Sequence, residues 1–260
     1  GAGLSTGAQS LGPDGVRMKK VLYMGDDSLT GAAAYLGGVL THNGIDFDYV
    51  PSAETLSAEK ISGEYGLIII SDYPAKNIPE NAANILCKKV EAGCGFLMIG
   101  GWASFYGLKG EYHNTPIAEI LPVDCMTVDD RDNYCHGLIP TIVNDHAIIK
   151  DLPFNEPPVV CGYNKVSPKK SSLVVLTLQK IVHKDGMIRV HKDDIPYLVT
   201  GLYGKGKTGA ITCDFAPHWV GGLVDWGKKR VKAQAKNGNE IEVGDVYVQF
   251  IKQIMDWFLA

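Results

Sequence analysis

The sequence predicts an α/β protein built around a mostly parallel sheet. Apolar, strand-sized runs alternate with helical segments through the first hundred residues, which is the order that βαβ units produce. The strongest run, YGLIII at residues 65–70, is apolar on both faces, which is typical of a strand inside a helix-covered parallel sheet. No run approaches the ~18 apolar residues that a membrane-spanning helix needs, so no membrane partner is predicted.

The first half of the chain is predicted as a regular alternation of elements. Strands are predicted at residues 20–24, 47–50, 65–70 and 96–99, and helices at residues 31–40, 53–61 and 79–92. Asn43 and Gly44 form a turn that ends the first helix, and Gly93 and Gly95 end the third. The spacing indicates parallel strands joined by crossover helices.

The pattern changes after about residue 110. Residues 111–170 carry seven of the 13 prolines and show weak periodicity, which indicates an irregular excursion with short strands. Strands are then predicted at residues 173–178 and 187–190, paired as an edge hairpin, and at residues 197–202 and 210–213, paired as an antiparallel hairpin. The amphipathic pattern of residues 245–259 predicts a terminal helix.

Domain organisation follows from the same patterns. Residues 1–17 lack hydrophobic periodicity and precede Met18, so we interpret them as an expression remnant or a disordered tail. Residues 18–260 show no internal repeat and no linker, and are predicted to form one domain that includes the 111–170 excursion. The basic stretch from Lys228 to Lys236 is interpreted as a solvated loop or helix face.

Composition and charge exclude several classes of protein. Of 260 residues, 45% are hydrophobic and 21% are charged, which is typical of a globular chain and not of a disordered one. The net charge of −4 gives no electrostatic basis for a nucleic-acid partner. The six cysteines are dispersed and none has C-x-x-C spacing, so we predict no zinc ribbon and a reduced, cytoplasmic protein without a cofactor.

Polar and aromatic residues follow the predicted strands at the edge where ligands bind in open α/β sheets. These are Asp26 and Asp27 after the first strand, Asp72 after the third, Gly100, Gly101, Trp102 and Ser104 after the fourth, and Asp214, His218 and Trp219 after the 210–213 strand. If the strands share a direction, these residues gather at one place.

Each of these residues also has a purely structural interpretation. An aspartate after a strand often caps a helix or forms an Asx turn. Two consecutive glycines can form a tight turn, a histidine can hold a loop, and tryptophans more often belong to the core. The combination at one sheet edge is what favours a ligand site.

Several segments resemble the class I glutamine amidotransferase-like superfamily, in an uncharacterised branch related to trehalose-utilisation-type proteins. The resemblance covers about residues 18–260 and is carried by YGLIIISDYP, GFLMIGGWASFYG, NDHAIIKDLPF, PPVVCGYN and PYLVTGLYGKGKTGAITCDFAPHW. It implies a flavodoxin-like three-layer sandwich with a mostly parallel central sheet, an antiparallel hairpin edge and an irregular insertion. It also implies an elbow between strand 96–99 and a following helix, where working members carry a nucleophilic cysteine on G-x-C-x-G.

The chain departs from that family at the nucleophile. The residues after strand 96–99 are Gly-Gly-Trp-Ala-Ser-Phe, with no cysteine at Gly101 or Trp102, and Cys94 lies before the strand. His218 matches the position of the family's histidine, but the usual H-x-E is here His-Trp-Val. Glutamine hydrolysis by a Cys-His-Glu triad is therefore not expected.

Three hypotheses remain open. The first is a protein that binds an unknown small molecule through Asp26, Asp27, Asp72, Gly100, Gly101, Trp102, Asp214 and Trp219, or that assembles as a homo-oligomer. The second is a hydrolase with altered chemistry, in which catalysis rests on His218 with Ser104, on Cys213, or on a divalent metal held by Asp26, Asp72, Asp214 and His218. The third is a structural or partner-binding module. No metal site is predicted from the sequence.

Overall fold

The computed structural model describes residues 19–217, 219 and 221–260. The predicted tail at residues 1–17 lies outside this part of the chain. The strands are β1 (Val21–Gly25), β2 (Phe47–Val50), β3 (Leu67–Ser71), β4 (Gly95–Ile99), β5 (Val123–Cys125), β6 (Arg131–Ile142), β7 (Val160–Asn164), β8 (Val166–Pro168), β9 (Leu173–Lys184), β10 (Met187–Tyr203), β11 (Gly206–Ile211), β12 (Arg230–Gln234) and β13 (Glu240–Gly244). The α-helices are α1 (Ala34–His42), α2 (Ala58–Ile61), α3 (Glu80–Glu91), α4 (Pro116–Ile120) and α5 (Asp245–Leu259).

The centre of the fold is a mixed sheet of nine strands, in the order β2-β1-β3-β4-β11-β10-β9-β6-β7. The strands from β2 to β11 are parallel, and those from β10 to β7 are antiparallel. The α/β class is confirmed, and the sheet is mixed, because four antiparallel strands extend the five parallel ones. β12 and β13 pair separately, as do β5 and β8.

Helices cover both faces of the parallel half. Leu67 and Ile69 of β3 belong to a core cluster that includes buried residues of α1 and α5. Ile68 and Ile70 point to the opposite face and belong to a second cluster, with buried residues of α2 and α3. This burial on both faces explains the continuous apolar run in the sequence. The flavodoxin-like three-layer arrangement stays a prediction.

No helix follows β4, in contrast to the predicted elbow. Residues 100–115 form successive turns, and the next helix is α4. Phe105 has φ 51° and Gly107 has φ 58°, which are left-handed conformations that a right-handed helix cannot contain. Ser104 therefore lies in a turn and not one turn into a helix.

The 111–170 excursion contains more regular structure than its sequence indicates. β6 and β7 lie within it and complete one end of the main sheet. Its strand signal is weak because β6 is interrupted by Gly137 and Pro140, and its pairing with β7 shifts register after Asn133.

Two further hairpins differ from the sequence-based expectation. The strands predicted at residues 187–190 and 197–202 are parts of the single strand β10, whose pairing with β9 is irregular between His191 and Ile195. The basic stretch includes β12 and its turn to β13, and this hairpin packs on α1. No described helix is long and apolar enough to cross a bilayer.

The terminal helix α5, predicted at its observed bounds, contacts a 3-10 turn at Ala147–Ile149. Nδ1 of His146 accepts the backbone N–H of Ile148 at 3.1 Å, and the imidazole packs edge-on against Trp257 at 4.8 Å between ring centroids. Burial, followed by the charge of Lys207, lowers the pKa of His146. The capping interaction requires the unprotonated nitrogen.

This cap predicts a pH-dependent contribution to stability. Because the pKa of His146 is lower in the folded chain, only the unfolded chain gains a proton as the pH first falls below about 6.5, and folding weakens. Asparagine can keep the capping acceptor without titrating. Between neutral and mildly acidic pH, the free energy of unfolding of H146N should therefore fall by up to about 1 kcal/mol less than that of wild type. Urea denaturation across this pH range measures the effect. The exposed His183 provides the control H183N, and identical pH slopes for wild type and H146N would contradict the prediction.

Candidate functional site

Three predicted site residues meet at the carboxyl edge of the parallel strands. Asp26 follows β1, Asp72 follows β3, and Asp214 lies three residues after β11. One carboxylate oxygen from each lies within 4.8 Å of the others. We call these three carboxylates the edge cluster.

The backbone turns sharply where β1 enters the edge cluster. Gly25, Asp26 and Asp27 have φ values of 121°, 52° and 65°, so three consecutive residues adopt left-handed conformations. Asp72 also has φ 52°. Aspartate tolerates this conformation better than most residues, and such strain is concentrated at functional sites.

Asp26 is a deeply buried member of the edge cluster, at 3% exposure. Its Oδ2 accepts a hydrogen bond from the Tyr23 hydroxyl, whereas its buried Oδ1 has no hydrogen-bond partner among the described residues. Burial, together with the charges of Asp214 and Asp72, raises the pKa of Asp26 well above its usual range. The fully buried Ser71 hydroxyl lies near enough to lower the pKa of Asp26 in part, although among the described residues it makes no hydrogen bond of normal geometry.

Asp72 and Asp214 each hold a turn of the backbone. Oδ1 of Asp72 accepts the N–H of Ala103 at 2.6 Å, and Oδ1 of Asp214 accepts the N–H of Ala216 at 2.9 Å. The bond of Asp214 is an Asx turn, as the structural interpretation predicted, whereas Asp72 holds the loop after β4 and caps no helix through this bond. Asp27 is exposed and is not part of the edge cluster.

Ser104 joins the ends of β3 and β4. Its buried Oγ donates to the carbonyl of Ile99 at 2.5 Å and accepts the N–H of Asp72 at 2.9 Å. Ser52 makes a similar bridge, accepting the N–H of Asp27 and donating to the carbonyl of Asp72. Because the Ser104 hydroxyl is occupied on both sides, a nucleophilic role would require breaking the link that positions Asp72.

Two buried polar residues that sequence reasoning missed hold the loop after β4. The side chain of Asn164 accepts the N–H of Gly101 at 2.9 Å and donates to the carbonyl of Gly101 at 3.0 Å. It also donates to Asp130 at 2.8 Å, and Asp130 accepts the N–H groups of Tyr106 and Gly107. The only sequence signal was that Asn164 ends the PPVVCGYN segment.

The two glycines after β4 allow close approach of other segments. A Cβ on Gly100 would lie 2.3 Å from the carbonyl oxygen of Thr212, and one on Gly101 would lie 2.7 Å from the Asp72 carboxylate. The glycine pair therefore lets the loop after β4 approach both the backbone after β11 and the Asp72 carboxylate.

The two predicted tryptophans have different environments. Trp102 is 47% exposed, and the Arg131 guanidinium lies 4.4 Å from its ring centre. Trp219 is only 5% exposed, stacks on Gly162 and donates from Nε1 to Asn133 at 2.5 Å. Trp102 is thus accessible to a ligand, whereas Trp219 packs in the core. His218 lies outside the described residues.

Comparisons with known proteins place this geometry in a family context. A family model described as "Putative glutamine amidotransferase" matches residues 30–231. Cytoplasmic Protein STM3548 from Salmonella typhimurium aligns with a TM-score of 0.72 and 26% identity, over 92% of this chain and 98% of that chain. Cytoplasmic Protein STM1381 from Salmonella typhimurium LT2 aligns with a TM-score of 0.65 and 30% identity, over 77% and 90% of the two chains.

A more distant structure shares the fold. A thua-like protein from Parabacteroides merdae ATCC 43184 aligns with a TM-score of 0.59 over 94% of this chain and 91% of that chain, with 13% identity. A search of curated proteins found no match. The similarity of fold agrees with the trehalose-utilisation-type resemblance of the sequence.

Proposed function

Because the chain belongs to the glutamine amidotransferase-like family, we propose that it is a member without thiol-dependent glutaminase activity that binds a small ligand at the edge cluster. The observation that carries the proposal is the convergence of Asp26, Asp72 and Asp214 at the strand ends. Ligands of open α/β sheets bind at this edge, and three carboxylates with a buried oxygen favour a cationic or hydrogen-bond-donating ligand.

The cysteines support the loss of thiol chemistry. Gly101 and Trp102 occupy the place of the family's nucleophile. Sγ of Cys94 contacts the carbonyl of Gly95, at the opposite end of β4, and burial raises the pKa of this thiol to about 11. Cys213 is fully buried, which raises its pKa well above the usual range. Activated thiols have lowered pKa values, so neither cysteine resembles a nucleophile.

A hydrolase with altered chemistry is the second candidate function. Ser104 contributes little to it, since its hydroxyl already bridges two backbone groups. The edge cluster favours a hydrolase, because the buried carboxyl of Asp26, with its raised pKa, can act as a general acid. In this version His218 keeps the catalytic role that the sequence resemblance implies for it.

The remaining expectations belong to the same proposal. We place the protein in the cytoplasm, as the names of the two Salmonella proteins state for those proteins, and expect a flavodoxin-like sandwich that assembles as a homo-oligomer. Light scattering on the purified chain measures the assembly.

The central test is an ammonia-release assay with L-glutamine, using a working amidotransferase as the positive control. We expect no release above the uncatalysed background, because no activated thiol lies at the elbow position. Ammonia release that iodoacetamide abolishes would refute the loss of thiol chemistry.

The ligand half of the proposal needs a separate measurement. Native mass spectrometry of the freshly purified chain should detect a bound small molecule or ion that is reduced in D72N, because that change removes a cluster charge and keeps an acceptor for Ala103. The matched control is D185N, at the exposed turn between β9 and β10. Equal retention in both variants, or no bound species in wild type, would refute binding at the edge cluster.

A further inference from the structure

We propose that the edge cluster is a binding site for one hard divalent cation, of the class Mg²⁺, Mn²⁺ or Ca²⁺, with Asp26, Asp72 and Asp214 as its protein ligands. The inference deepens the proposed function, because it names the chemical class of ligand that the cluster takes. It rests on the position of the three carboxylates and on an independent feature of the wall behind them.

The donor geometry suits a single ion. Donors on opposite sides of Ca²⁺ are about 5 Å apart and those around Mg²⁺ about 4 Å apart, given their usual metal–oxygen distances. The three carboxylate oxygens are no more than 4.8 Å from one another, so all three can reach one ion with little movement. An all-oxygen donor set favours hard cations over Zn²⁺ or Cu²⁺.

The wall of the cluster supplies the second observation. Oδ1 of Asp26 and Oγ of Ser71 are both buried and have no hydrogen-bond partner among the described residues. A buried oxygen without a partner is costly, and a cation at the cluster would satisfy that of Asp26 directly.

Capping roles explain only part of the arrangement. The bonds from the N–H groups of Ala103 and Ala216 hold the backbone beside Asp72 and Asp214. These bonds do not explain why the Asp26 carboxylate lies beside the other two. Asp26 reaches this position within three consecutive residues that have left-handed backbone conformations. Like charges this close repel each other, and the attraction of each carboxylate to a bound divalent cation would offset that repulsion.

The site is accessible from one side. Asp72 is partly exposed, whereas Asp26 and Asp214 are buried at 3% and 2% exposure. An ion can therefore enter past Asp72 while it keeps some of its water, as Mg²⁺ usually does.

The test is isothermal titration of the EDTA-stripped, full-length chain with MgCl₂, MnCl₂ and CaCl₂ in turn. At least one ion should bind with a stoichiometry near one and should raise the melting temperature. D26N should weaken binding by about tenfold or more, because it replaces a buried carboxylate ligand with a neutral amide. The control D185N, which replaces an exposed aspartate that also has a left-handed backbone (φ 53°), should bind like wild type.

Each outcome decides the proposal. If none of the three ions binds to wild type, or if D26N binds as tightly as D185N, the cation site is refuted. If D26N does not fold, as circular dichroism in EDTA would reveal, D72N replaces it in the same comparison. A bound organic molecule in native mass spectrometry without ion binding would refute only the cation, whereas thiol-dependent ammonia release would refute only the loss of glutaminase chemistry.

Discussion

Replacing Gly25 with alanine should destabilise the folded chain by about 4 kcal/mol or more, or prevent folding. Gly25 ends β1 with φ 121°, a conformation that L-residues rarely adopt. An added Cβ would lie 1.6 Å from the carbonyl oxygen of Ser71, which is part of the β1–β3 ladder and cannot move away. The same backbone group accepts the N–H of Asp26, so the substitution would also displace the edge cluster.

The matched control for this prediction is Gly44. It also has a positive φ, 71°, but an added Cβ would meet no atom within 4 Å. G44A should therefore cost only the backbone strain, about 1 kcal/mol. Urea denaturation of both variants measures the difference. Similar losses for G25A and G44A would show that the contact with Ser71 is not what requires glycine.

Replacing Asn164 with alanine should cost about 3 kcal/mol or more and lower the melting temperature by about 10 °C. The change leaves both backbone groups of Gly101 without their buried side-chain partner and removes one bond to Asp130. The loop after β4 would then lose its anchor. Ion binding at the edge cluster should weaken as well, since this loop contacts Asp72 through Ala103 and Ser104.

Asn144 gives a suitable comparison for Asn164. It is exposed, and its side-chain amide donates to the carbonyl of Val174 at 2.8 Å. N144A should cost less than about 1 kcal/mol, because water can replace the lost partner. Thermal denaturation followed by circular dichroism compares the two variants. An N164A protein as stable as N144A would mean that the loop after β4 does not depend on the buried amide.

The alternation of strands and helices could be predicted because its signals are local. The run at residues 65–70 is apolar on both faces, and β3 is buried on both faces. The strand at Phe47–Val50 and the helix at Asp245–Leu259 are confirmed at their predicted bounds. The antiparallel half was harder to predict, because Gly137, Pro140 and a register shift obscure the period-2 pattern of β6.

The sequence by itself determined the α/β class, the family resemblance and the placement of aspartates at strand ends, because these depend on neighbouring residues and their periodicity. Only the tertiary structure decided that the carboxylates of Asp26, Asp72 and Asp214 lie within 4.8 Å of one another, while Trp219 packs in the core. It also replaced the predicted elbow helix by a loop that Asn164 and Asp130 hold from the antiparallel half. These contacts join residues far apart in the chain, so they depend on the strand order, which no local pattern encodes.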